Sequence, residues 1–218
     1  MQEDYQKLTK STYEDPKMVA GYALKHGRNP KLHDLVEYFA KTIPGKRVID
    51  IGCGPGQDSY KFAELGFEVV GVDYSTEMIK TAKKFKTIAN PPEFSVLDMR
   101  KIGDNFAMDS FDGAWISASL LHIPEVDVPK VLTGLKKIVK NGGRIYIGIK
   151  GGEQGASIIK ENKYDMDLRR EFIFWDKKNF SNLLKKFRFK IVEFKETSDG
   201  ITGDKPTSWL NYQVEVVK

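Results

Sequence analysis

The stretch RVIDIGCGPGQD, residues 47–58, predicts a buried strand followed by a glycine turn and the start of a helix. Val48, Ile49 and Ile51 form the nearly continuous apolar run that is typical of a strand buried on both faces of a parallel sheet. Because the glycines of the turn carry no side chains, a ligand can approach the main chain closely. The helix would direct its unpaired N–H groups and positive dipole end at that ligand. We therefore expect an α/β protein that binds an anionic or electron-rich group at this turn.

The spacing of the glycines distinguishes between nucleotide cofactors. Dinucleotide-binding turns carry the pattern GxGxxG, whereas Gly52, Gly54 and Gly56 are spaced GxGxG and Asp50 stands inside the strand. Both departures point away from NAD. A second apolar strand ends at Asp73, about 20 residues after the turn, where folds of this kind bind ribose hydroxyl groups. This position favours a nucleoside ligand without identifying it.

Four ordered motifs, VIDIGCGPG, VVGVDYS, SVLDMR and FDGAWISASLLHIP, together resemble the class I S-adenosylmethionine-dependent methyltransferases, in particular the small single-domain members. The resemblance spans residues 46–149, about half of the chain. It implies an α/β, Rossmann-like, doubly wound sheet of seven strands in the order 3214576. The sheet would be mostly parallel, with an antiparallel last strand. It also implies S-adenosylmethionine as the cofactor.

The resemblance implies which residues hold that cofactor. Asp73 would bind the ribose, the glycine turn the methionine end, and Asp98 the adenine amino group. Tyr74 and Met78 would flank the adenine, although both could instead pack at the edge of the core. The expected cofactor-binding residues are Asp50, Gly52, Gly54, Gly56, Asp73, Tyr74, Met78, Asp98, Met99, Ser117 and Tyr22.

His122 follows the fourth predicted strand, where the resemblance places methyl transfer. An imidazole titrates near neutral pH, so His122 is the candidate general base for removing a proton from the acceptor. A purely structural role in the loop is the alternative. Because a sulfonium methyl group is already activated, alignment and desolvation could supply most of the acceleration.

Two segments outside the motifs are expected to enclose the site. Residues 1–28 form a polar N-terminal segment that we expect to act as a lid presenting Tyr13 or Tyr22, although these tyrosines could simply attach it to the surface. Residues 150–175 interrupt the alternation of strands and helices at the carboxyl end of a strand, where such sheets build their pockets.

The second of these segments is the predicted substrate cap. Its candidate substrate residues are Arg169, Arg170, Phe172 and Trp175, and the aromatic ones could instead belong to the core. Guanidinium groups pair with carboxylates or phosphates, and aromatic rings bury apolar surface. We therefore expect a small, flat or apolar acceptor that carries an oxygen anion.

The composition is typical of one domain covering residues 1–218, since a hydrophobic content of 40% suffices for a single core. Cys53 is the only cysteine and cannot form an internal disulfide or a zinc site, so we expect no metal and a reducing, cytoplasmic location. No apolar run reaches the about 18 residues of a membrane span, and residues 1–10 lack the apolar core of a signal peptide. We expect no membrane contact.

The charge pattern bears on nucleic acid as a partner. The net charge is +5, but the basic residues are scattered among 30 acidic ones, which is typical of a solvated surface. Asn90, Pro91 and Pro92 resemble the motif of enzymes that methylate the amino groups of bases, yet they precede the third predicted strand and predict a turn. We do not expect nucleic acid binding.

The sequence therefore favours methyl transfer from S-adenosylmethionine to a small organic acceptor. Two alternatives stay open: a regulatory protein that binds S-adenosylmethionine without catalysis, and an RNA methyltransferase. The oligomeric state is not indicated by any of these patterns.

Overall fold

The computed structural model of the protein describes the backbone of residues 5–26, 30–84, 89–202 and 205–218. The sequence predicts a helix cap at Asn29 and an inward-facing side chain at Phe85, and both residues lie outside the described ranges. The two ends of the predicted lid also lie outside them.

Strands alternate with helices along most of the described chain. The strands are β1 (Arg47–Ile51), β2 (Glu68–Asp73), β3 (Glu93–Val96), β4 (Phe111–Ser117), β5 (Val139–Gly151), β6 (Gly155–Lys163), β7 (Met166–Phe174), β8 (Phe189–Thr202) and β9 (Lys205–Val216). The helices are α1 (Tyr5–Glu14), α2 (Pro16–His26), α3 (Pro30–Ala40), α4 (Gln57–Glu64), α5 (Thr76–Ala82), α6 (Ile102–Asn105), α7 (Val128–Ile138) and α8 (Lys177–Lys186). Two short 3-10 helices cover Met99–Lys101 and Leu120–His122.

Seven strands form one sheet in the order β3-β2-β1-β4-β5-β9-β8. The pairs from β3 to β5 are parallel, whereas β9 is antiparallel to both β5 and β8. Because β8 and β9 are the sixth and seventh strands of this sheet in chain order, the strand order is 3214576. The predicted Rossmann-like, doubly wound fold with an antiparallel last strand is confirmed.

Helices cover both faces of the sheet. On one face, α3 and α4 pack Phe39 and Phe62 against Trp115 of β4, with ring centroids 5.5 and 5.6 Å from the indole. On the other face, α7 and α8 bury Leu132 and Phe180 in the larger core. This arrangement leaves the carboxyl ends of the parallel strands at one edge, where such sheets bind ligands.

The neighbouring strands β5 and β9 alternate between an apolar and a polar face. Ile147 and Tyr212 are register partners that face α8, where Phe180 packs against Tyr212 at a centroid distance of 5.3 Å. Their neighbours Tyr146 and Gln213 are paired on the opposite face. Because side chains alternate across a strand, the polar residues of these strands share the face on which α3 lies.

The segment predicted as a cap forms a hairpin of β6 and β7 that is separate from the main sheet. Helix α1 lies against β7, where the N–H of Glu171 donates to Thr9 Oγ1 at 2.8 Å and the Thr12 hydroxyl donates to the Arg169 carbonyl at 3.2 Å. The carboxylate of Glu14 accepts the N–H groups of Thr76 and Glu77 at the start of α5. The N-terminal helices are thereby tied to both the hairpin and the main domain.

None of the helices in the described ranges combines the length and the apolar character that crossing a membrane requires.

The glycine turn gives a first testable prediction. Gly52 has φ +75°, and an added Cβ would lie 2.2 Å from the Ser119 Cβ, whereas Gly66 has φ +81° with nothing within 4 Å. The variant Gly66→Ala should lower the free energy of unfolding by about 1–2 kcal/mol through backbone strain alone. The variant Gly52→Ala adds a steric clash and should lower it by about 2–5 kcal/mol. Urea denaturation measures both, and equal losses would contradict the packing of Ser119 against the turn.

Candidate active site

A cavity of about 1060 Å³ opens at the carboxyl ends of the parallel strands and extends across the polar face of β5, β9 and β8. Its volume lies at the upper end of ligand pockets, which are about 300–1,000 Å³. The first part, which we call the turn lobe, is lined by Gly52, Gly54, Asp73, Tyr74, Met78, Asp98 and Met99. The second part, which we call the sheet lobe, is lined by Tyr38, Tyr146, Gly148, Glu193, Lys195, Thr197, Trp209, Asn211 and Gln213. The cavity therefore has room for two small molecules side by side.

The structure brings most of the sequence-predicted residues to this cavity. Its lining includes Asp50, Gly52, Gly54, Asp73, Tyr74, Met78, Asp98, Met99, Ser117, Tyr22 and His122. Gly56 is not part of the lining and lies beneath the turn, where an added Cβ would be 2.8 Å from the Phe94 ring. The predicted substrate residues Arg169, Arg170, Phe172 and Trp175 also lie outside the lining.

The Asp73 carboxylate holds the glycine turn in place. Its two oxygens accept the N–H groups of Gly54 and Ser75, each at 2.9 Å. Burial raises the pKa of Asp73 to about 6, against the effect of these two hydrogen bonds, so the group is ionised at neutral pH. Above Gly54 the main chain faces open space, since an added Cβ would come no closer than 3.9 Å to Met78 Sδ and 4.0 Å to Tyr22.

Tyr13 and His122 form a hydrogen-bonded pair at the cavity wall. Tyr13 Oη lies 2.9 Å from His122 Nε2, and His122 Nδ1 lies 3.0 Å from the carbonyl oxygen of Glu171. A carbonyl only accepts, so Nδ1 carries the proton and Nε2 accepts the hydrogen of the Tyr13 hydroxyl. Burial lowers the pKa of His122 to about 4, and the charge of Arg170 acts in the same direction. The imidazole is therefore neutral at neutral pH.

Arg170, on strand β7 of the hairpin, contacts this pair. Its Nη1 donates to Tyr13 Oη at 3.0 Å, and its Nη2 forms an ion pair with Glu161. Burial raises the pKa of Tyr13, and the guanidinium charge only partly offsets that effect. The Phe172 ring packs edge-on against His122 with centroids 5.1 Å apart. The hairpin thus positions Tyr13 and His122, and the charge of Arg170 is balanced by a carboxylate.

Trp175 and Arg169 contribute to the structure elsewhere. The Trp175 ring is buried in the core and packs against Phe180 at a centroid distance of 5.0 Å. The Arg169 carbonyl accepts a hydrogen bond from the Thr12 hydroxyl, and Arg169 is exposed. Trp175 therefore belongs to the core, which was the alternative role left open for the aromatic residues of the predicted cap.

Arg100, which sequence reasoning did not single out, lines the cavity beside Asp98. Its guanidinium donates to both carboxylate oxygens of Asp98 at 2.6–3.0 Å and to Asp127 at 3.1 Å. Arg100 holds the pKa of Asp98 below its usual value, although burial acts in the opposite direction. The positive charge of Arg100 is therefore matched by two carboxylates.

The sheet lobe was missed by sequence reasoning. Its outer part consists of three cross-strand pairs between β8 and β9, Glu193 with Gln213, Lys195 with Asn211, and Thr197 with Trp209. The signal was the alternation of polar and apolar residues in β9, which also predicts an ordinary solvent-facing surface. Only the position of α3 beside these strands turns the polar face into the wall of a cavity.

Asp58, in the first turn of α4, also lines the cavity. Its Oδ2 accepts the Trp115 Nε1–H at 2.8 Å, and the indole stacks on Tyr146 with centroids 4.1 Å apart. Its other oxygen, Oδ1, is buried without a hydrogen-bond partner in the described part of the protein. Burial raises the pKa of Asp58 to about 6. A buried carboxylate with one unpaired oxygen is costly for a fold, and such groups are frequent in functional sites.

The free-energy cost of burying the Asp58 carboxylate gives a prediction for the stability of the ligand-free protein. Its folded-state pKa lies above the unfolded value of about 3.9, so ionisation opposes folding fully above pH 6 and less as the pH falls toward 3.9. The variant Asp58→Asn should raise the free energy of unfolding at pH 8 by about 1–2 kcal/mol, and by less at pH 4.5. Urea denaturation at the two pH values measures this difference.

Asp112 provides the matched control. Its carboxylate accepts the N–H groups of Lys46 and Arg47 at 2.9 Å and pairs with Lys140, an ion pair that lowers its pKa although burial acts the other way. The variant Asp112→Asn should destabilise the protein at pH 8, opposite in sign to Asp58→Asn. A loss of stability in both variants would contradict the unpaired state of Asp58 Oδ1.

No group of three or more histidine, cysteine, aspartate or glutamate side chains among the described residues is arranged to hold a metal ion.

Comparison with known proteins matches the part of the chain from β1 to β5, which includes the glycine turn. A family model described as a methyltransferase domain matches residues 49–147. A demethylmenaquinone methyltransferase of Renibacterium salmoninarum is 29% identical over 129 residues, which are 59% of this chain and 52% of that protein. The putative methyltransferase YqeM of Bacillus subtilis is 39% identical over 131 residues, with 59% and 52% covered. The chain thus spans about half the length of the curated relatives it matches.

The fold is also that of a solved structure. A SAM-dependent methyltransferase from Methanosarcina mazei superimposes with a TM-score of 0.69 at 20% identity, covering 84% of this chain and 98% of that chain. At this identity the similarity concerns the fold.

Proposed function

Since this chain is a class I S-adenosylmethionine-dependent methyltransferase by domain and fold, we propose that it transfers the methyl group of S-adenosylmethionine to a small organic acceptor. The observation that carries the proposal is the continuous cavity, in which the open glycine turn lies on one side of the Tyr13 and His122 pair and the sheet lobe provides space for a second molecule. One molecule would be the cofactor and the other the acceptor.

The turn lobe fits the cofactor on grounds of its own geometry. The main chain above Gly54 is open, and the Asp73 carboxylate beside it still has lone pairs for ribose hydroxyl groups. Gly52 and Gly54 would hold the methionine end, and Tyr74 and Met78 the flat adenine. When bound, S-adenosylmethionine supplies an electrophilic methyl group on a sulfonium sulfur.

Tyr13 would orient the acceptor. Its oxygen donates to His122 Nε2 and accepts from Arg170 Nη1, which leaves one lone pair for an N–H or O–H of the acceptor. This hydrogen bond would fix the position of the acceptor atom and the direction of that atom's lone pair. Such alignment is the main requirement of an in-line displacement. The proton released as the new bond forms would pass to Tyr13 and on to His122. In this proposal His122 acts through Tyr13.

The experiment that tests the proposal combines binding and turnover. Isothermal titration with S-adenosylhomocysteine should show binding in the micromolar range, and S-adenosylmethionine labelled in the methyl group should yield a labelled product in fractions of cell extract. Failure to bind at high micromolar concentration would refute the proposal. Binding without labelled product in any fraction would instead favour the non-catalytic binding protein, and label in the RNA fraction would favour an RNA methyltransferase.

A further inference from the structure

Carboxylates dominate the charged lining of the cavity. Among the described residues, the acidic lining residues are Asp34, Asp50, Asp58, Asp73, Asp98 and Glu193, whereas the basic ones are Arg100 and Lys195. Arg100 pairs with Asp98 and Asp127, and burial raises the pKa of Asp50 well above its usual value, which leaves Asp34, Asp58, Asp73 and Glu193 against Lys195. A cleft lined by one sign of charge raises the local concentration of ligands with the opposite sign. The cavity is therefore suited to a cation.

Glu193 is held toward the sheet lobe by two uncharged donors. The Tyr38 hydroxyl and the Gln213 amide donate to the same oxygen, Oε2, at 3.0 and 2.8 Å. These hydrogen bonds fix the orientation of the carboxylate without neutralising it. Lys195, the next lobe residue along β8, is exposed, so its ammonium group reaches water. Glu193 thus presents a preorganised negative charge.

Asp58 is the second anionic group, and its geometry points independently to a ligand. The residue is 7% exposed, and its Oδ1 has no hydrogen-bond donor in the described part of the chain. Through Trp115 it lies next to Tyr146, which forms the floor of the sheet lobe and donates to Asn211 at 2.6 Å. A positively charged group in the neighbouring lobe would offset part of the cost of burying this carboxylate.

The walls of the sheet lobe suit an organic cation. Tyr38, Tyr146 and Trp209 contribute aromatic rings, although the Lys150 ammonium group already lies over the Trp209 indole at 4.4 Å from its centroid. Aromatic faces attract ammonium groups through the ring quadrupole. Arg169 and Arg170, by contrast, lie outside the lining, and Arg170 is paired with Glu161. Among the described residues, the guanidinium group that lines the cavity is that of Arg100, and it is paired with Asp98 and Asp127.

We propose that the sheet lobe recognises an acceptor carrying an ammonium group, with Asp58 and Glu193 as its anionic partners. This inference rests on the proposed function, because it describes the acceptor half of the same cavity. The ammonium group anchors the acceptor, and the aromatic side chains contact the rest of the molecule.

The test uses three ligands that share a phenyl ring and carry a positive, a neutral or a negative terminal group. Phenethylamine, 2-phenylethanol and phenylacetate are titrated into protein saturated with S-adenosylhomocysteine at pH 7.5. We expect phenethylamine to bind at least about tenfold more tightly than phenylacetate, as expected for one charge-assisted hydrogen bond. The variants Asp58→Asn and Glu193→Gln should each remove most of that preference and leave the affinity for S-adenosylhomocysteine unchanged.

Glu196→Gln is the matched control, since Glu196 lies on β8 but pairs with Lys177 and accepts the Ser208 hydroxyl outside the cavity lining. It should keep the preference for the amine. Equal or tighter binding of phenylacetate, no binding of the amine, or an equal loss in Glu196→Gln would overturn the inference. So would an Asp58→Asn variant that loses S-adenosylhomocysteine instead of the amine. Because cofactor binding is measured on the same samples, a protein that binds no S-adenosylhomocysteine identifies a failure of the proposed function itself.

Discussion

The variant Tyr13→Phe should lower kcat about 100-fold or more while the affinity for S-adenosylhomocysteine changes little. The phenol oxygen is bonded to both His122 Nε2 and Arg170, and in the proposed function its removal would take away both the orientation of the acceptor and the route for its proton. Positioned proton transfer contributes about 10²–10⁴-fold to rates. Single-turnover kinetics with the labelled cofactor and an identified acceptor measure the loss.

Two comparisons separate this role from a structural one. His122→Asn and the double variant with Tyr13→Phe should lose about as much activity as Tyr13→Phe alone, because groups that act as a unit are not additive. Tyr60→Phe is the matched control, since its hydroxyl donates to the Ala82 carbonyl at 2.9 Å outside the cavity lining. It should retain turnover. Additive losses at Tyr13 and His122 would argue against a shared role.

The pH dependence of the same reaction provides an independent readout. The pKa of His122 is lowered to about 4, so the imidazole stays neutral and able to accept the Tyr13 hydrogen as the pH falls from 8 to 5. Activity that depends on Nε2 should therefore be retained through pH 6.5, where an ordinary histidine becomes protonated, and should fall only as the pH approaches 4. A midpoint near 6.5 that disappears in His122→Asn would contradict the burial of this imidazole.

The variant Asp73→Asn should weaken binding of S-adenosylhomocysteine by about 100-fold. In this proposal the carboxylate would accept the ribose hydroxyl groups, and a charge-assisted hydrogen bond is worth about 1.5–3 kcal/mol, so losing one or two gives a change of this size. The amide also places an N–H group against either Gly54 or Ser75, whose own N–H groups now point at the carboxylate. The glycine turn should therefore loosen at the same time.

Asp112→Asn separates the two effects in Asp73→Asn. Asp112 likewise accepts two main-chain N–H groups, from Lys46 and Arg47, but it lies outside the cavity lining. The Asp112→Asn variant should lose stability and keep its affinity for S-adenosylhomocysteine in isothermal titration. Comparable affinities in Asp73→Asn and the unsubstituted protein would remove Asp73 from the proposed ribose site.

The parts of the fold that the sequence predicted are those specified by local patterns. The apolar run before Gly52 and the alternation in β9 fix which segments are strands, and parallel strands with glycine turns permit few arrangements. The glycine turn, Asp73 and Asp98 also lie close together because each follows a parallel strand at the same edge of the sheet. The turn lobe is therefore predictable from local patterns, whereas the strand order 3214576 was implied by the resemblance of the four motifs to a known family.

The hairpin and the sheet lobe depend on partners that are distant in sequence. Arg170 carries an attractive charge for a substrate, but whether Glu161 neutralises it depends on how β6 and β7 pair. Gln213 has the same appearance in a sequence whether its face meets water or a cavity, and α3, more than 170 residues earlier, decides between them. Charge and alternation predict which residues are polar, and the tertiary partners determine what those residues contact.

The attachment of α1 to β7 has a consequence for biosynthesis. Helix α1 is made early, but its hydrogen-bond partners Glu171 and Arg169 leave the ribosome about 160 residues later, which takes roughly 10–30 s at about 5–20 residues per second. Until then Thr9 and Tyr13 lack their hairpin partners, whereas Glu14 can already accept the N–H groups at the start of α5. The helix must therefore wait without its hairpin partners while the sheet assembles, and the Tyr13 and His122 pair gains its contact with Arg170 only after β7 has been made.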